Sequence, residues 1–138
     1  MKLTVIGLGY LGATHAVAMA KLGHEVIGIE SDAKKLETLK SGRIPFHEPG
    51  LQDALTEVLV SGSLTFQSDM DDAVASADAH FICVGTPQTA ASNKADTKYV
   101  FEACQALAKY LKPEAVVIGK STVPVGTAAR LQELLNAN

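Results

Sequence analysis

An α/β domain, doubly wound around a mainly parallel sheet with helices on both faces, is the fold this sequence predicts. Three observations carry that prediction. Short apolar, strand-like runs alternate with helix-period runs along the whole chain. Glycine or proline punctuates the joins, as at Gly23, Gly42 and Pro113. The 138 residues suffice for one domain with a real core, and 47% apolar with 20% charged residues is an ordinary globular balance.

Residues 2–6 form the first predicted strand, and residues 10–22 the first helix, stopped by Gly23. Residues 25–30 form the second strand. Ser31 or Asp32 then caps a helix carrying Leu36 and Leu39, with Gly42 past its end. The segment Arg43-Ile44-Pro45-Phe46-His47-Glu48-Pro49-Gly50 is irregular, and a helix with Leu51, Leu55, Val58 and Leu59 on one face follows. Residues 64–66 make a short third strand and residues 69–77 a short acidic helix. Residues 79–84 form the fourth and central strand, broken by Gly85-Thr86-Pro87. Residues 88–96, polar and rich in small side chains, read as a mobile loop. Residues 99–111 are a helix with Val100, Ala103, Cys104, Leu107 and Leu111 on one stripe, ended by Pro113. Residues 115–119 form the fifth strand, and a last helix bears Leu131, Leu134 and Leu135. No internal repeat, low-complexity segment or linker interrupts this order.

Composition excludes several function classes. A net charge of −3 and the lack of any Lys/Arg cluster argue against a nucleic-acid surface. No apolar run approaches the roughly 20 residues needed to span a bilayer, so no membrane partner is expected. The first residues enter a strand directly, without the pattern of a secretory signal, which predicts a cytoplasmic location. Cys83 and Cys104 fall in a strand-like and a helix-like run and read as small buried hydrophobes in a reducing compartment. His15, His24, His47 and His80 are scattered without metal-ligand spacing, so no metal site is expected.

The most informative motif is Gly7-Leu8-Gly9-Tyr10-Leu11-Gly12, between the first strand and an Ala-rich helix. A G-x-G-x-x-G alone is a weak signal; the strand–turn–helix context gives it meaning. Gly7 permits the tight turn, and Gly9 lets a diphosphate approach the backbone. Gly12 lets the helix pack closely on the strand, leaving free N–H groups and a positive dipole end facing the phosphates. The plainer alternative is a helix start with no ligand.

Glu30 ends the second strand about 20 residues on, where a carboxylate accepts the adenosine ribose hydroxyls in dinucleotide-binding units. A carboxylate there repels a 2′-phosphate, so NAD is favoured over NADP. Lys34 and Lys35 weigh against that preference, because a basic residue there can meet a phosphate. Taken alone, Glu30 is an ordinary polar residue at a strand end; joined to the glycines at this spacing, the ribose role is the better reading. The architecture is therefore Rossmann-type.

In such sheets ligands bind beyond the carboxyl ends of the strands. Three loops leave those ends: Gly7 to Gly12, Gly85-Thr86-Pro87 and Lys120-Ser121-Thr122. They supply small or hydroxyl-bearing residues where a cofactor would lie. For Thr86 and Thr122 the alternative is capping of the next turn, and spacing leaves the two open.

Together these segments resemble the N-terminal NAD-binding domain of the UDP-glucose/GDP-mannose 6-dehydrogenase family. The resemblance covers the whole chain but only the opening part of that family's length. It rests on the Gly7–Gly12 turn with Tyr10 at its fourth place, Gly42 to Leu51, Val84-Gly85-Thr86-Pro87, Ala95-Asp96, and Lys120-Ser121-Thr122-Val123-Pro124-Val125-Gly126. The Glu-Pro-Gly-Leu and Lys-Ser-Thr-Val-Pro-x-Gly pieces are much more specific than the glycine turn. The Ile-Pro-x-x-Glu-Pro-Gly-Leu form looks more like the UDP-glucose branch than the N-acetylated-sugar branch, with GDP-mannose left open.

The resemblance implies, for a complete enzyme, two successive NAD-dependent oxidations of the sugar C6 alcohol to a carboxylate. A catalytic cysteine there holds a thiohemiacetal and then a thioester. Carried over by position, Leu11 contacts the pyrophosphate through its backbone, Glu30 and Lys35 lie around the adenosine ribose, and Thr86 lines the cofactor groove. Thr122 stands beside the reacting centre, its hydroxyl placing a water or the cofactor. The family's Cys-Phe-Pro-Lys-Asp and Ser-Pro-Glu-Phe-Leu segments have no counterpart in this sequence. Neither Cys83 nor Cys104 inherits the nucleophile's role, because both fall inside predicted core elements. Asn93 replaces a usual glycine, a mild change, since Asn tolerates a left-handed backbone.

The expectation is therefore a single NAD-binding domain over residues 1–138, cut from a larger enzyme or a remnant of one. The central and UDP-sugar-binding domains, with a final strand, are absent, and the chain binds NAD without turning over a nucleotide sugar. Residues 115–119 then form an exposed apolar sheet edge, which predicts self-association or limited solubility. Two rivals share the glycines and Glu30: a non-catalytic nucleotide-sensing module and the cofactor domain of another NAD enzyme. Neither has reason to carry the two specific segments.

Overall fold

A computed structural model describes every residue except Ala90, Ala91, Asn93 and Asn138, with only the backbone of Asp72 and Ala73. The elements run β1 (Lys2–Ile6), α1 (Tyr10–Lys21), β2 (Glu25–Ile29), α2 (Ala33–Lys40), α3 (Leu51–Val60), β3 (Leu64–Gln67), α4 (Asp72–Ala75), β4 (Ala79–Ile82), α5 (Lys98–Ala108), β5 (Val116–Gly119) and α6 (Thr127–Asn136). All strand pairings within the sheet are parallel, and the spatial order is β3-β2-β1-β4-β5.

Strand alternation explains the two cores. Leu3 and Val5 of β1 point to one face with Val26, Leu64 and Phe66, where α1, α2 and α3 supply Ala13, Val17, Leu39 and Leu55. Ile6, Ile27, Ile29 and Ile82 point to the other face, against Val74, Val100, Cys104 and Leu107. The small residues of α1 let its backbone lie close to the sheet: Ala13, Ala16 and Ala20 are all buried. On the second face, Thr4 Oγ1 and His80 Nδ1 share a buried hydrogen bond of 2.8 Å.

Several expectations are revised. The centre of the sheet is β1; β4 is interior but beside it. The helix expected over residues 69–77 shrinks to α4. Upstream of it Ser68 bonds the Asp69 carboxylate and Gln67 Nε2 donates to the Asp69 carbonyl, local bonds that compete with helix formation. Of the loop expected over residues 88–96, three residues fall outside the described set; among the rest Gln88 and Ala95 form an antiparallel bridge, and the Thr89 N–H donates to the Lys94 carbonyl at 2.9 Å. The expectation for Asn93 lies outside the described residues. Of the two cap candidates for α2, Asp32 takes the role, its carboxylate accepting the Lys35 N–H at 3.0 Å.

Among the described residues β5 is an edge strand, with β4 as its neighbour, and Val116 is 54% exposed. No helix of the described residues is long and apolar enough to cross a membrane.

Candidate functional site: a cleft at the carboxyl ends of the strands

Register sets the site. Ile6 pairs with both Ile29 and Ile82, and Ile82 with Gly119, so four parallel strands end level with one another. The loops leaving them open onto one cleft of about 970 Å³.

The first loop is shaped by what its glycines exclude. Gly7 has φ +88°, and a Cβ there would sit 2.9 Å from the Val84 Cα. A Cβ on Gly12 would lie 1.9 Å from the Gly7 carbonyl oxygen. At Gly9 a Cβ would meet nothing within 4 Å, so open space lies directly over the turn. Gly9 is also the N-cap of α1, with no side-chain cap. The N–H groups of the first turn and the positive end of the helix are left for an outside acceptor.

Glu30 is 6% exposed, yet its carboxylate borders the cleft. Its oxygens accept the Leu8 N–H at 3.0 Å, the Asp32 N–H at 3.0 Å and the Lys35 ammonium at 2.9 Å. A carboxylate has about four acceptor positions, so one is left for a hydroxyl arriving from the cleft. A diphosphate over uncapped amides with a pentose hydroxyl on Glu30 is therefore the ligand shape these residues fit.

The other loops close the far side. Ser121 Oγ donates to the Val84 carbonyl at 2.7 Å, which ties the loop after β5 to the loop after β4. Thr86 and Thr122 both border the cleft. Gly85, Ser121, Gly9, Tyr10 and Leu11 border the cleft as well. Two sequence candidates do not. Gly12 is buried beneath the turn and acts by its lack of a side chain, and Pro87 lies beyond the rim.

Cys83 also borders the cleft but is only 8% exposed. Burial pushes its thiol up to about 11, against the opposing pull of the Lys120 charge, so it is protonated and weakly nucleophilic near neutrality. Burial likewise raises Cys104. His15 is lowered, first by burial and then by Lys120.

Residues 1–138 match, from end to end, the family model described as the UDP-glucose/GDP-mannose dehydrogenase family, NAD binding domain. The chain belongs to that family. A UDP-glucose 6-dehydrogenase of Rhizobium meliloti is 42% identical over 135 residues, covering 98% of this chain and 31% of the relative. The solved UDP-glucose dehydrogenase of Pyrobaculum islandicum superposes with a TM-score of 0.90 at 40% identity, over 99% of this chain and 32% of that one. A UDP-D-ManNAc dehydrogenase from Pyrococcus horikoshii gives 0.93 at 31% identity, with the same coverage of 99% and 32%. The chain thus spans about a third of the length of these relatives.

For an NAD-binding domain of this family, sequence reasoning missed one wall of the cleft. Tyr99, Glu102 and Ala106 of α5 and Asp69 and Met70 after β3 border it. On α5 these residues lie off the buried stripe and look like a solvated face. The signal that could have found them is topological: they flank the carboxyl end of the sheet.

Proposed function

We propose that the chain holds NAD in this cleft as the cofactor domain of a nucleotide-sugar 6-dehydrogenase whose substrate is UDP-glucose. The observation that carries the cofactor reading is the uncapped start of α1 under open space at Gly9, with the buried Glu30 carboxylate at the end of the neighbouring strand. When bound, NAD supplies the hydride acceptor for oxidation of the sugar C6 alcohol. The chain's own residues bind and orient: the Leu11 amide meets the diphosphate, and Glu30 and Lys35 meet the adenosine ribose. Thr86 and Gly85 line the groove, and Thr122 presents its hydroxyl toward the reacting end. UDP-glucose is favoured over other nucleotide sugars by the 42%-identical UDP-glucose 6-dehydrogenase and by the Ile44-Pro45 to Glu48-Pro49-Gly50-Leu51 form. Neither Cys83 nor Cys104 suits a nucleophile's role, so this domain binds coenzyme and does not complete the oxidation by itself.

Isothermal titration with NAD and with NADP tests the reading. Saturable heat with NAD and weaker binding of NADP is the expected result. No heat and no thermal shift with either coenzyme refutes it. For the sugar, a protein in which this domain continues into a Cys-Phe-Pro-Lys-type segment should oxidise UDP-glucose in preference to GDP-mannose and UDP-N-acetylmannosamine.

β5 supports a second reading concerning partners. Val116-Val117-Ile118-Gly119 carries no charge and no proline along a sheet edge, which leaves a row of backbone groups free to pair. We infer that, where no further strand of its own chain covers this edge, the β5 of a second copy pairs along it.

A further inference from the structure

The irregular segment that joins α2 to α3 is well anchored without touching the cleft. Gln52 of α3 brackets its start: Nε2 donates to the Gly42 carbonyl at 2.6 Å and Oε1 accepts the Ile44 N–H at 3.1 Å. Ile44 and Phe46 pack against the core of that face. At its end the Leu51 N–H donates to the Glu48 carbonyl at 3.2 Å across a turn that places Gly50 at φ +76°. None of residues 43–50 borders the cleft.

What this segment reaches is Tyr10, the first residue of α1, which does border the cleft and is 56% exposed. Its phenol donates to the Glu48 carboxylate. Its ring stands 4.9 Å from the Phe46 ring, tilted by 51°. An exposed tyrosine at a helix start otherwise samples several rotamers. Two contacts from a post that is itself bracketed by Gln52 select one.

We propose that Glu48 is a positioning residue for coenzyme binding: by holding the Tyr10 ring at the lip of the cleft it keeps the amino end of α1 open to the diphosphate. This rests on the NAD reading above. Glu48 touches no part of the cleft, so its effect passes through Tyr10, by removing rotamer disorder that binding would otherwise have to remove. The brace also explains the shape of Glu48-Pro49-Gly50, whose turn at Gly50 starts α3 and sets the carboxylate opposite the phenol.

The test is a double-substitution cycle on the whole chain, read by NAD titration. Glu48→Ala and Tyr10→Phe should each weaken NAD binding roughly threefold to tenfold, the range of one net hydrogen bond. In the Tyr10→Phe background, Glu48→Ala should add nothing. Glu48→Gln, whose amide oxygen still accepts, should restore most of the affinity. A readout free of coenzyme accompanies it: the Glu48 hydrogen bond holds the Tyr10 phenol above its ordinary 10.0. Ultraviolet titration of the phenols should therefore show one group moving down in Glu48→Ala and disappearing in Tyr10→Phe. If Glu48→Ala folds poorly, Tyr10→Phe with Glu48 intact must show the same loss of affinity. Wild-type affinity in Tyr10→Phe, or a loss on Glu48→Ala that is as large without the phenol as with it, overturns the proposal. If the wild-type chain itself fails to bind NAD, the cleft reading falls and takes this with it. Intact wild-type binding with no coupling removes the brace alone.

Discussion

The carboxylate of Glu30 accepts the backbone N–H of Leu8 at 3.0 Å, so the group assigned to the ribose also fixes the turn assigned to the diphosphate. One buried side chain, at the end of β2, thereby sets the shape of the loop after β1. Gly7 reinforces the link, its N–H donating to the Ile29 carbonyl at 2.8 Å.

Glu30→Ala should act twice. The Leu8 and Asp32 N–H groups lose their acceptor, which costs about 1–3 kcal/mol of stability and lowers the melting temperature. NAD affinity should fall about tenfold or more, as expected for hydrogen bonds to a charged group. Lys35, released from its carboxylate, is then free to meet a 2′-phosphate, so the preference for NAD over NADP should narrow. Parallel titrations with both coenzymes, alongside thermal melts, measure all three effects.

Gly12→Val should disable the site without adding any atom to the cleft. The new Cβ lands 1.9 Å from the Gly7 carbonyl oxygen, a backbone atom that moves only if the turn moves. An overpacking cost of about 1–3 kcal/mol or more is expected, with loss of NAD binding. Circular dichroism melts and titration check it; a variant that binds like wild type contradicts the steric account.

How far the sequence could be read follows from what each signal reports. Short apolar runs marked the strands, because β1 and β2 in particular bury apolar residues on both faces of the sheet. The glycine turn and Glu30 were legible as a pair because their spacing is imposed by one βαβ unit. Pro87 was not separable from the residues that border the cleft, since sequence adjacency says nothing about which side of a turn faces outward. Tyr99 and Glu102 were invisible for a related reason: helical periodicity reports the stripe packed on the sheet, and a ligand-facing stripe has the composition of a solvated one. The Tyr10–Glu48 contact joins residues from different elements, and no local pattern announces it.

Stability should fall on mild acidification through His80. The ring is fully buried, and burial, with a smaller contribution from Lys112, lowers it to about 4. An unfolded histidine titrates near 6.5. Between those values the unfolded chain takes up a proton that the folded chain refuses. The contribution is complete above about pH 6.5 and is lost progressively toward pH 4, to a total of about 3 kcal/mol. Urea denaturation across that range should show the slope, and His80→Gln should flatten it. A slope unchanged in the variant assigns the effect to other groups.

The β5 edge should make association concentration-dependent. Light scattering is expected to show species larger than a monomer at high protein concentration. Val116→Lys, placing a charge on the exposed edge, should shift the population toward monomer. A monodisperse monomer at every concentration contradicts strand pairing through β5.

The most direct test is a crystal structure of the chain grown with saturating NAD. Diphosphate oxygens are expected within hydrogen-bond distance of the Tyr10 and Leu11 amides, with an adenosine ribose hydroxyl on Glu30. Coenzyme found elsewhere on the molecule, or a cleft filled by the protein's own side chains, contradicts the assignment of this cleft to NAD.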